Sequence, residues 1–238
     1  MLLGSLDLLF SDPLAFLRIF PIFFVKVGFA LLLGITVHEF SHAMAANSLG
    51  DPTAKRLGRL TLNPIRHMDP MGTVMLLIVG FGWGKPVPVN PFAIRRGRQG
   101  MAVVATAGPL SNFVTAFLLS IPIRVGVLAW HSPLDLYRSS QTGIEGFVVD
   151  LLGFFIFFNL ILAIFNLLPL FPLDGSKIAL GLLPQDLARS FSRLETYGPV
   201  ILLMIIAVDM ITGVGILRGI IFPVVNYAGN VIVGQEIY

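Results

Sequence analysis

The chain has 238 residues, of which 55% are hydrophobic and only 12% charged, and its mean hydropathy is +0.86. A soluble domain carries about 25% charged residues, so these values exclude a water-soluble enzyme and indicate that lipid covers much of the surface. The chain has no cysteine and a net charge of only +3, which excludes a thiolate metal site and gives no nucleic-acid signature. We predict an all-α polytopic membrane protein, with about four transmembrane helices, a re-entrant segment and short cytoplasmic β-strands.

The first predicted span, from about Ile19 to Ala46, follows an amphipathic lead-in at residues 1–18 and ends in the pattern His-Glu-x-x-His. In a helix, His38 and His42 lie one turn apart on one face, so both imidazoles can reach a single metal ion. Glu39 lies beside the first imidazole and can take a proton from a water that the metal acidifies. A merely polar patch is the alternative, but ionisable groups at the edge of a span are costly and usually functional.

The long polar segment at residues 47–99 contains eight basic and two acidic residues and therefore carries a net charge of +6. The positive-inside rule places this segment in the cytoplasm. Within it, Arg56–Leu62 partly alternates and is predicted to form a short strand, and the prolines of Lys85–Pro91 predict an edge strand or a rigid extended ribbon. Gly72–Gly80 is apolar but too short to cross a membrane, which indicates a re-entrant or interfacial segment beside the active site.

The second predicted span runs from about Met101 to Ile123 and contains Gly-Pro-Leu-Ser-Asn. Gly108 would allow close helix approach. Asn112 needs a polar partner inside a span, and two roles remain open: contact between helices, or a donor near the metal. The link at 124–143 is nearly neutral and is predicted to lie on the outer side, with His131 as a solvated loop residue.

The third predicted span runs from about Ile144 to Leu168 and is followed by a proline-broken turn that contains Asp174. A carboxylate at membrane depth is expensive unless a metal neutralises it, so Asp174 is a candidate third ligand. The fourth predicted span runs from about Tyr197 to Leu217. The sequence does not explain Asp209 within it, and the segment 218–238 receives no placement.

Five motifs in this order resemble the site-2 protease family of intramembrane zinc metalloproteases, in its compact type without PDZ or CBS domains. The resemblance covers about residues 30–180, within a single membrane-embedded metalloprotease domain predicted for residues 1–238. The motifs are His-Glu-Phe-Ser-His at 38–42, Asn-Pro-Ile-Arg-His-Met-Asp-Pro-Met-Gly at 63–72, Lys-Pro-Val-Pro-Val-Asn-Pro at 85–91, Gly-Pro-Leu-Ser-Asn at 108–112 and Asn-Leu-Leu-Pro-Leu-Phe-Pro-Leu-Asp-Gly at 166–175.

The resemblance implies that His38, His42 and Asp174 bind one Zn²⁺ per chain, with a water in the fourth position, and that Glu39 is the general base. It also implies that Asn166, and with it Asn112, contacts the substrate or the transition state.

Two further residues of the matched loop, His67 and Asp69, are interpreted as structural, because three protein ligands are already present. Prolines flank this pair on both sides, and a local hydrogen bond would hold the turn.

The predicted function is hydrolysis of a peptide bond in or near the transmembrane segment of a membrane-protein substrate, in regulated intramembrane proteolysis. The protein is expected in a prokaryotic cell membrane, with the active site towards the cytoplasm and a regulatory membrane partner of unknown identity. The alternatives are a metal-binding transporter or channel, and a catalytically silent membrane scaffold. No inverted repeat is visible in the sequence, which argues against the transporter.

Overall fold

The computed structural model describes residues 12–79, 82–130, 132–133 and 144–235, and this part of the chain is mostly helical. The predicted all-α membrane architecture is confirmed at this level. The predicted lead-in before residue 12 and most of the predicted outer link, His131 included, lie outside the described residues. Within the described ranges the α-helices are α1 Pro13–Ser48, α2 Thr53–Arg56, α3 Pro70–Val79, α4 Gly97–Arg124, α5 Ile144–Asn166, α6 Asp174–Leu182, α7 Gln185–Ser192, α8 Gly198–Thr212 and α9 Ile216–Val233, with 3₁₀ turns at Pro64–His67 and Arg193–Thr196.

Four of the described helices, α1, α4, α5 and α9, are long and apolar enough to cross a membrane. The first three correspond to the predicted spans, but the fourth is α9, which comes from the segment that the sequence pattern left unplaced. The predicted fourth span contains α8, which has only 15 residues. Gly213 ends this helix and Gly215 precedes α9, with φ angles of 65° and 74°, a left-handed conformation that glycine adopts at low cost.

Asp209, which the sequence pattern did not explain, caps the helix that follows it. Its carboxylate accepts hydrogen bonds from the backbone N–H groups of Ile216 and Leu217, at the start of α9. The first N–H groups of a helix have no partner within the helix, and a carboxylate also complements the positive end of the helix dipole. Asp209 therefore joins α8 to α9.

The predicted cytoplasmic strands are wrong: the described residues contain no strand, and only one isolated bridge pairs Met68 with Gly84. At the predicted strand Arg56–Leu62, the chain turns back on α2, because the Arg59 N–H donates to Ala54. Residues 85–90 have no regular structure. The prolines of this ribbon remove donors, and the N–H groups of Lys85, Val87 and Asn90 donate to groups elsewhere in the protein, as described below.

Helix α4 lies at the centre of the described fold and packs against α1, α5 and α6. The largest apolar cluster joins α4, α5 and α9. Its fully buried members include Ala116 of α4, Ile156 and Leu160 of α5, and Val225 of α9. This packing holds together the helices that supply the candidate site.

The predicted re-entrant segment forms helix α3, and the chain returns along it through residues 82–84. Glycine permits this close return: a Cβ atom on Gly72 would lie 2.1 Å from the carbonyl oxygen of Trp83, and one on Gly82 would lie 2.3 Å from that of Gly72. Any larger side chain at either position would push residues 82–84 away from α3.

Candidate active site

Three buried side chains from distant parts of the sequence meet at one point. His38 and His42 lie on successive turns of α1, and Asp174 is the first residue of α6. The Nε2 atoms of both histidines and Oδ2 of Asp174 are each 3.0 Å from the other two. These are the three described residues whose ligand atoms are grouped closely enough to hold a metal ion.

The position of Asp174 depends on how the chain leaves α5. The backbone N–H of Leu173 donates to Leu170, which closes a tight turn before α6. A Cβ atom on Gly175 would lie 2.3 Å from the carbonyl oxygens of both Leu167 and Leu168, so the start of α6 packs directly on the end of α5. Gly175 therefore fixes the residue before it, Asp174, against the histidines.

The hydrogen bonds of the two histidines determine where their protons lie. The Nδ1 atom of His42 is 2.8 Å from the Val104 carbonyl, which can only accept, so this nitrogen carries a proton. The Nδ1 atom of His38 is 2.6 Å from Oδ1 of Asn112, whose Nδ2 lies 3.0 Å from the Gly34 carbonyl. Because the amide NH₂ of Asn112 must face the Gly34 carbonyl, the amide oxygen faces His38. The Nδ1 atom of His38 therefore carries a proton and donates to that oxygen.

In their neutral form, both imidazoles therefore present the lone pairs of Nε2 towards each other and towards a carboxylate oxygen. Such a group of acceptors is repulsive by itself and is complementary to a cation. A tetrahedral zinc site with metal–ligand distances of about 2.0–2.1 Å has ligand atoms about 3.3–3.4 Å apart. The observed 3.0 Å spacing needs only a small outward shift, so the residues fit zinc.

Gly108 of α4 forms the wall behind both imidazoles. A Cβ atom at this position would lie 2.4 Å from Nε2 of His42 and 2.6 Å from Nε2 of His38. The close approach predicted for Gly108 is thus an approach to the imidazoles of α1, and a side chain of any size here would displace them.

Glu39 lines a cavity of about 670 Å³ that also contains the two histidines and Asp174. Its Oε2 accepts a 2.7 Å hydrogen bond from the backbone N–H of Val87 in the proline-rich ribbon. Pro86 and Pro88 flank Val87 and have no N–H, so the bond to Glu39 uses the ribbon's donor at this point. The second carboxylate oxygen of Glu39 has no hydrogen-bond partner among the described residues.

The rest of the ribbon is also tied to the protein by its backbone. The Lys85 N–H donates to the His67 carbonyl at 2.8 Å, and the Lys85 carbonyl accepts from the Arg59 guanidinium at 2.6 Å. The Asn90 N–H donates to Asp51 at 2.7 Å. These bonds hold the ribbon against α1 and against the loop that follows it.

The two asparagines predicted to contact the substrate occupy different positions. Asn112 is fully buried behind His38, and both ends of its amide bond to the protein. Asn166 is half-buried in the cavity wall, and its Nδ2 donates to the Leu162 carbonyl at 2.9 Å.

Sequence reasoning missed Asn159, which is 1% exposed and accepts from Nδ2 of Asn112 at 2.8 Å. Asn159 could have been found from the sequence, because it is an amide in an otherwise apolar span. The same feature led to the selection of Asn112.

His67 and Asp69 lie in the loop before α3. The Nε2 atom of buried His67 donates to the Thr61 carbonyl at 2.8 Å, and Asp69 accepts from the Gly72 N–H at 2.9 Å. Neither residue belongs to the group of described side chains that is close enough together to hold a metal ion. Both side chains stabilise local turns, in agreement with their structural interpretation.

The chain is similar to a known family of peptidases. The model of peptidase family M50 matches residues 124–206, a range that contains Asn166 and Asp174 and begins after His42. YwhC of Bacillus subtilis, named a zinc metalloprotease, is 40% identical over 175 residues, which cover 74% of this chain and 77% of that protein. Rip2 of Mycobacterium tuberculosis, also named a zinc metalloprotease, is 30% identical over 208 residues, covering 85% of this chain and 73% of that protein.

No solved structure matches this chain significantly. The two relatives nevertheless match across most of their own lengths, and the apolar helices and the His-His-Asp cluster agree with the activity in their names. This chain is therefore a bacterial multi-pass membrane protein of peptidase family M50, an intramembrane zinc metalloprotease.

Proposed function

We propose that His38, His42 and Asp174 hold the zinc ion, that Glu39 is the general base, and that the site hydrolyses a peptide bond in or near the transmembrane segment of another membrane protein. The observation that carries this proposal is the meeting of two Nε2 lone pairs and one carboxylate oxygen beside Glu39, in a single cavity. The physiological setting that fits such a reaction is regulated intramembrane proteolysis.

Zinc, when bound, would acidify a water molecule and polarise the scissile carbonyl. Glu39 takes a proton from the attacking water, whose oxygen forms a bond to the carbonyl carbon of the substrate. Glu39 then delivers that proton to the amide nitrogen as the C–N bond breaks, which gives a carboxylic acid and an amine. The Val87 N–H holds one oxygen of Glu39 in place throughout. This N–H belongs to the backbone of the ribbon, which does not need to reorganise during the proton transfer.

The substrate must reach the site as an unwound segment, because the hydrogen bonds of a helix shield its peptide groups. The cavity that contains the site extends to apolar side chains of α5, α8 and α9, such as Phe158, Leu202 and Ile221, which suit the side chains of a transmembrane segment. Asn166 in the cavity wall is the polar group that we assign to the substrate or the transition state. Helix α3, the proposed re-entrant element, also lines the cavity through Leu76.

Unwinding gives a test of the substrate form. A substrate span with Gly, Pro or Asn near the cut should be cleaved faster than one in which Leu replaces those residues, because poor helix formers lower the cost of unwinding. The comparison uses the two substrates at equal density in the same vesicles. Equal rates would contradict unwinding as the limiting step.

The active site is assigned to the cytoplasmic side because the segment 47–99 carries its net charge of +6 next to the last turns of α1. The absence of native cysteine makes single-cysteine labelling a clean test. In intact cells, a membrane-impermeant maleimide should label Val127→Cys, at the opposite end of α4, and should not label Arg95→Cys. Labelling of position 95 from outside would reverse the assignment.

Cleavage itself is tested by co-reconstituting the purified protein and a model transmembrane substrate in liposomes. The wild type should release a product that is absent with Glu39→Gln, a variant of equal size that cannot accept the proton. Glu195→Gln is the matched control, because this glutamate is exposed outside the cavity and the same change there should leave cleavage intact. Zinc binding without cleavage of any transmembrane peptide would contradict the proposed function.

The physiological role is tested in cells. A comparison of the membrane proteome with wild type and with Glu39→Gln should show full-length substrates accumulating only in the variant. If regulated proteolysis is the role, the accumulating proteins should include ones whose released fragments alter transcription or signalling. No change between the two proteomes would contradict a role in regulated proteolysis.

A further inference from the structure

Asn159 of α5 lies beyond the metal-binding residues, and its hydrogen bonds continue those of the site. Its Oδ1 accepts from Nδ2 of Asn112 at 2.8 Å, and its own Nδ2 donates to the Phe155 carbonyl at 2.8 Å. The Phe155 carbonyl can only accept, so the amide of Asn159 has a single orientation with its oxygen towards Asn112.

The resulting bonds all run in one direction. His38 donates to Asn112, Asn112 donates to Asn159, and Asn159 donates to the Phe155 carbonyl. Hydrogen bonds arranged head to tail polarise one another, so each later bond strengthens the first. The effect at His38 is greater electron density on Nε2, the nitrogen that faces the metal position. A hydrogen-bond acceptor at the N–H of one imidazole nitrogen makes the other nitrogen a stronger metal ligand.

The same bonds connect three helices in a dry environment. His38 lies on α1, Asn112 on α4 and Asn159 on α5, and the two amides are 0% and 1% exposed. Without Asn159, one N–H of the Asn112 amide would be buried without an acceptor, which is costly and favours movement of the amide away from His38. The Gly34 carbonyl retains the other N–H.

We propose that Asn159 is a positioning residue of the zinc site. It fixes the Asn112 amide, and this amide sets the orientation of the His38 ring and the strength with which its Nε2 binds the metal. This inference rests on the proposed function, because it requires that His38 binds the metal. It extends that function to a residue that does not contact the metal, the substrate or the reacting atoms.

The test compares zinc affinity in detergent-purified protein, by competition with a chromophoric chelator, for wild type, Asn159→Leu and Asn159→Asp. Leu keeps the approximate size and removes the acceptor, whereas a buried neutral Asp keeps an acceptor for Asn112 and an O–H donor for Phe155. We expect Asn159→Leu to weaken zinc binding about tenfold, the lower end of the range for residues that orient metal ligands. Asn159→Asp should stay within about twofold of wild type, as a rescue by the conservative change.

The control for a merely structural effect is Ser120→Ala. Ser120 is fully buried on α4 and donates to the Ile232 carbonyl of α9 at 3.1 Å, two turns away from Asn112. This variant should lower the melting temperature of the zinc-free protein, with zinc affinity unchanged. If Asn159→Leu does not accumulate, Asn159→Met replaces it, since methionine is apolar and adapts to irregular spaces.

Wild-type zinc affinity in Asn159→Leu, or an equal loss in Asn159→Leu and Asn159→Asp, would overturn the role of Asn159. Neither result would affect the assignment of the ligands. Failure of the wild type to bind zinc would instead overturn the proposed metal site, so the two failures are distinguishable.

Discussion

Helix α1 carries two buried polar sites that differ in what they leave unsatisfied. Lys26 is fully buried, and its Nζ lies 3.0 Å from Oδ2 of Asp150 on α5 and 4.9 Å from the ring centroid of Phe147. Twelve residues later, about 18 Å along the helix, His38 and its neighbours place two lone pairs beside a carboxylate. The first site pairs an ammonium group with a carboxylate, and the second brings acceptors together in an arrangement that is complementary to a cation.

This difference indicates how to interpret ionisable groups in membrane spans. Burial of charge marks both sites as expensive, and cost alone does not distinguish a structural pair from a functional one. The arrangement of donors and acceptors does distinguish them. A site whose hydrogen bonds leave only acceptors pointing at one another requires a ligand, whereas a matched pair such as Lys26 and Asp150 stabilises contact between two helices.

The largest expected effect separates the two carboxylates of the active site. Glu39→Gln should reduce cleavage at least about 100-fold while the protein keeps its zinc, because Gln cannot take the proton. Asp174→Asn should lose zinc and cleavage together, because a neutral amide is a weaker ligand than a carboxylate. Zinc content and cleavage of one model substrate are measured side by side. Loss of zinc in Glu39→Gln with retention in Asp174→Asn would reverse the two roles.

The second prediction tests whether the wall of the zinc site is essential. Gly108→Ala places a methyl carbon 2.4 Å from Nε2 of His42 and 2.6 Å from Nε2 of His38, so both imidazoles must move, and zinc affinity should fall by more than the roughly 10–100-fold typical of groups that only orient ligands. Gly28→Ala on α1 is the matched control, since nothing lies within 4 Å of its added Cβ. Elemental analysis after dialysis provides the measurement, and equal zinc in both variants would contradict the close approach.

The third prediction concerns the balanced pair. Lys26→Met should lower the free energy of unfolding by about 3–5 kcal/mol, because it removes the ammonium group that lies 3.0 Å from the buried Asp150 carboxylate. The double variant Lys26→Met with Asp150→Leu should recover most of that loss, since apolar groups of similar volume replace a buried pair at little cost. Zinc affinity should stay constant in both. Unfolding in a detergent mixture measures the effect, and a loss of zinc with Lys26→Met would show that the two sites on α1 are coupled.

The smallest effect is expected at Asp51. This buried carboxylate lies outside the membrane spans and accepts hydrogen bonds from backbone N–H groups. Burial alone would raise the pKa of Asp51, but hydrogen bonds from Thr53 and Asn90 outweigh burial and hold this pKa below its ordinary value. The ionised group therefore stabilises the fold above about pH 4, its ordinary pKa, and that contribution is lost as the pH falls through the lowered value.

Asp51→Asn should accordingly lower the free energy of unfolding by about 1.5–3 kcal/mol at neutral pH. The difference from wild type should shrink as the pH falls below about 4. Thermal unfolding at several pH values measures this dependence. Asp186→Asn, at an exposed position, is the control and should behave as wild type. A difference that grows in acid would contradict the sign of the pKa shift.

The sequence alone was sufficient for the apolar spans up to α5 and for the nature of the site. Those spans were predictable because a helix that crosses a membrane needs about 20 apolar residues in a row. The histidine pair was predictable because helical periodicity places residues 38 and 42 on one face. The segment 218–238 was not assigned, because Pro223 and Gly229 interrupt its weakly apolar pattern, yet α9 continues through both residues.

Other features depended on contacts between segments distant in the sequence, and only the tertiary structure decided them. The predicted strands failed because a strand needs a partner, and the N–H groups of Val87 and Asn90 go instead to the carboxylates of Glu39 and Asp51. The position of Asn112 behind His38 and the contribution of Asn159 likewise arise from the packing of α4 against α1 and α5. A sequence shows which groups need partners, but partners 39 or more residues apart are chosen by packing, which local periodicity does not record.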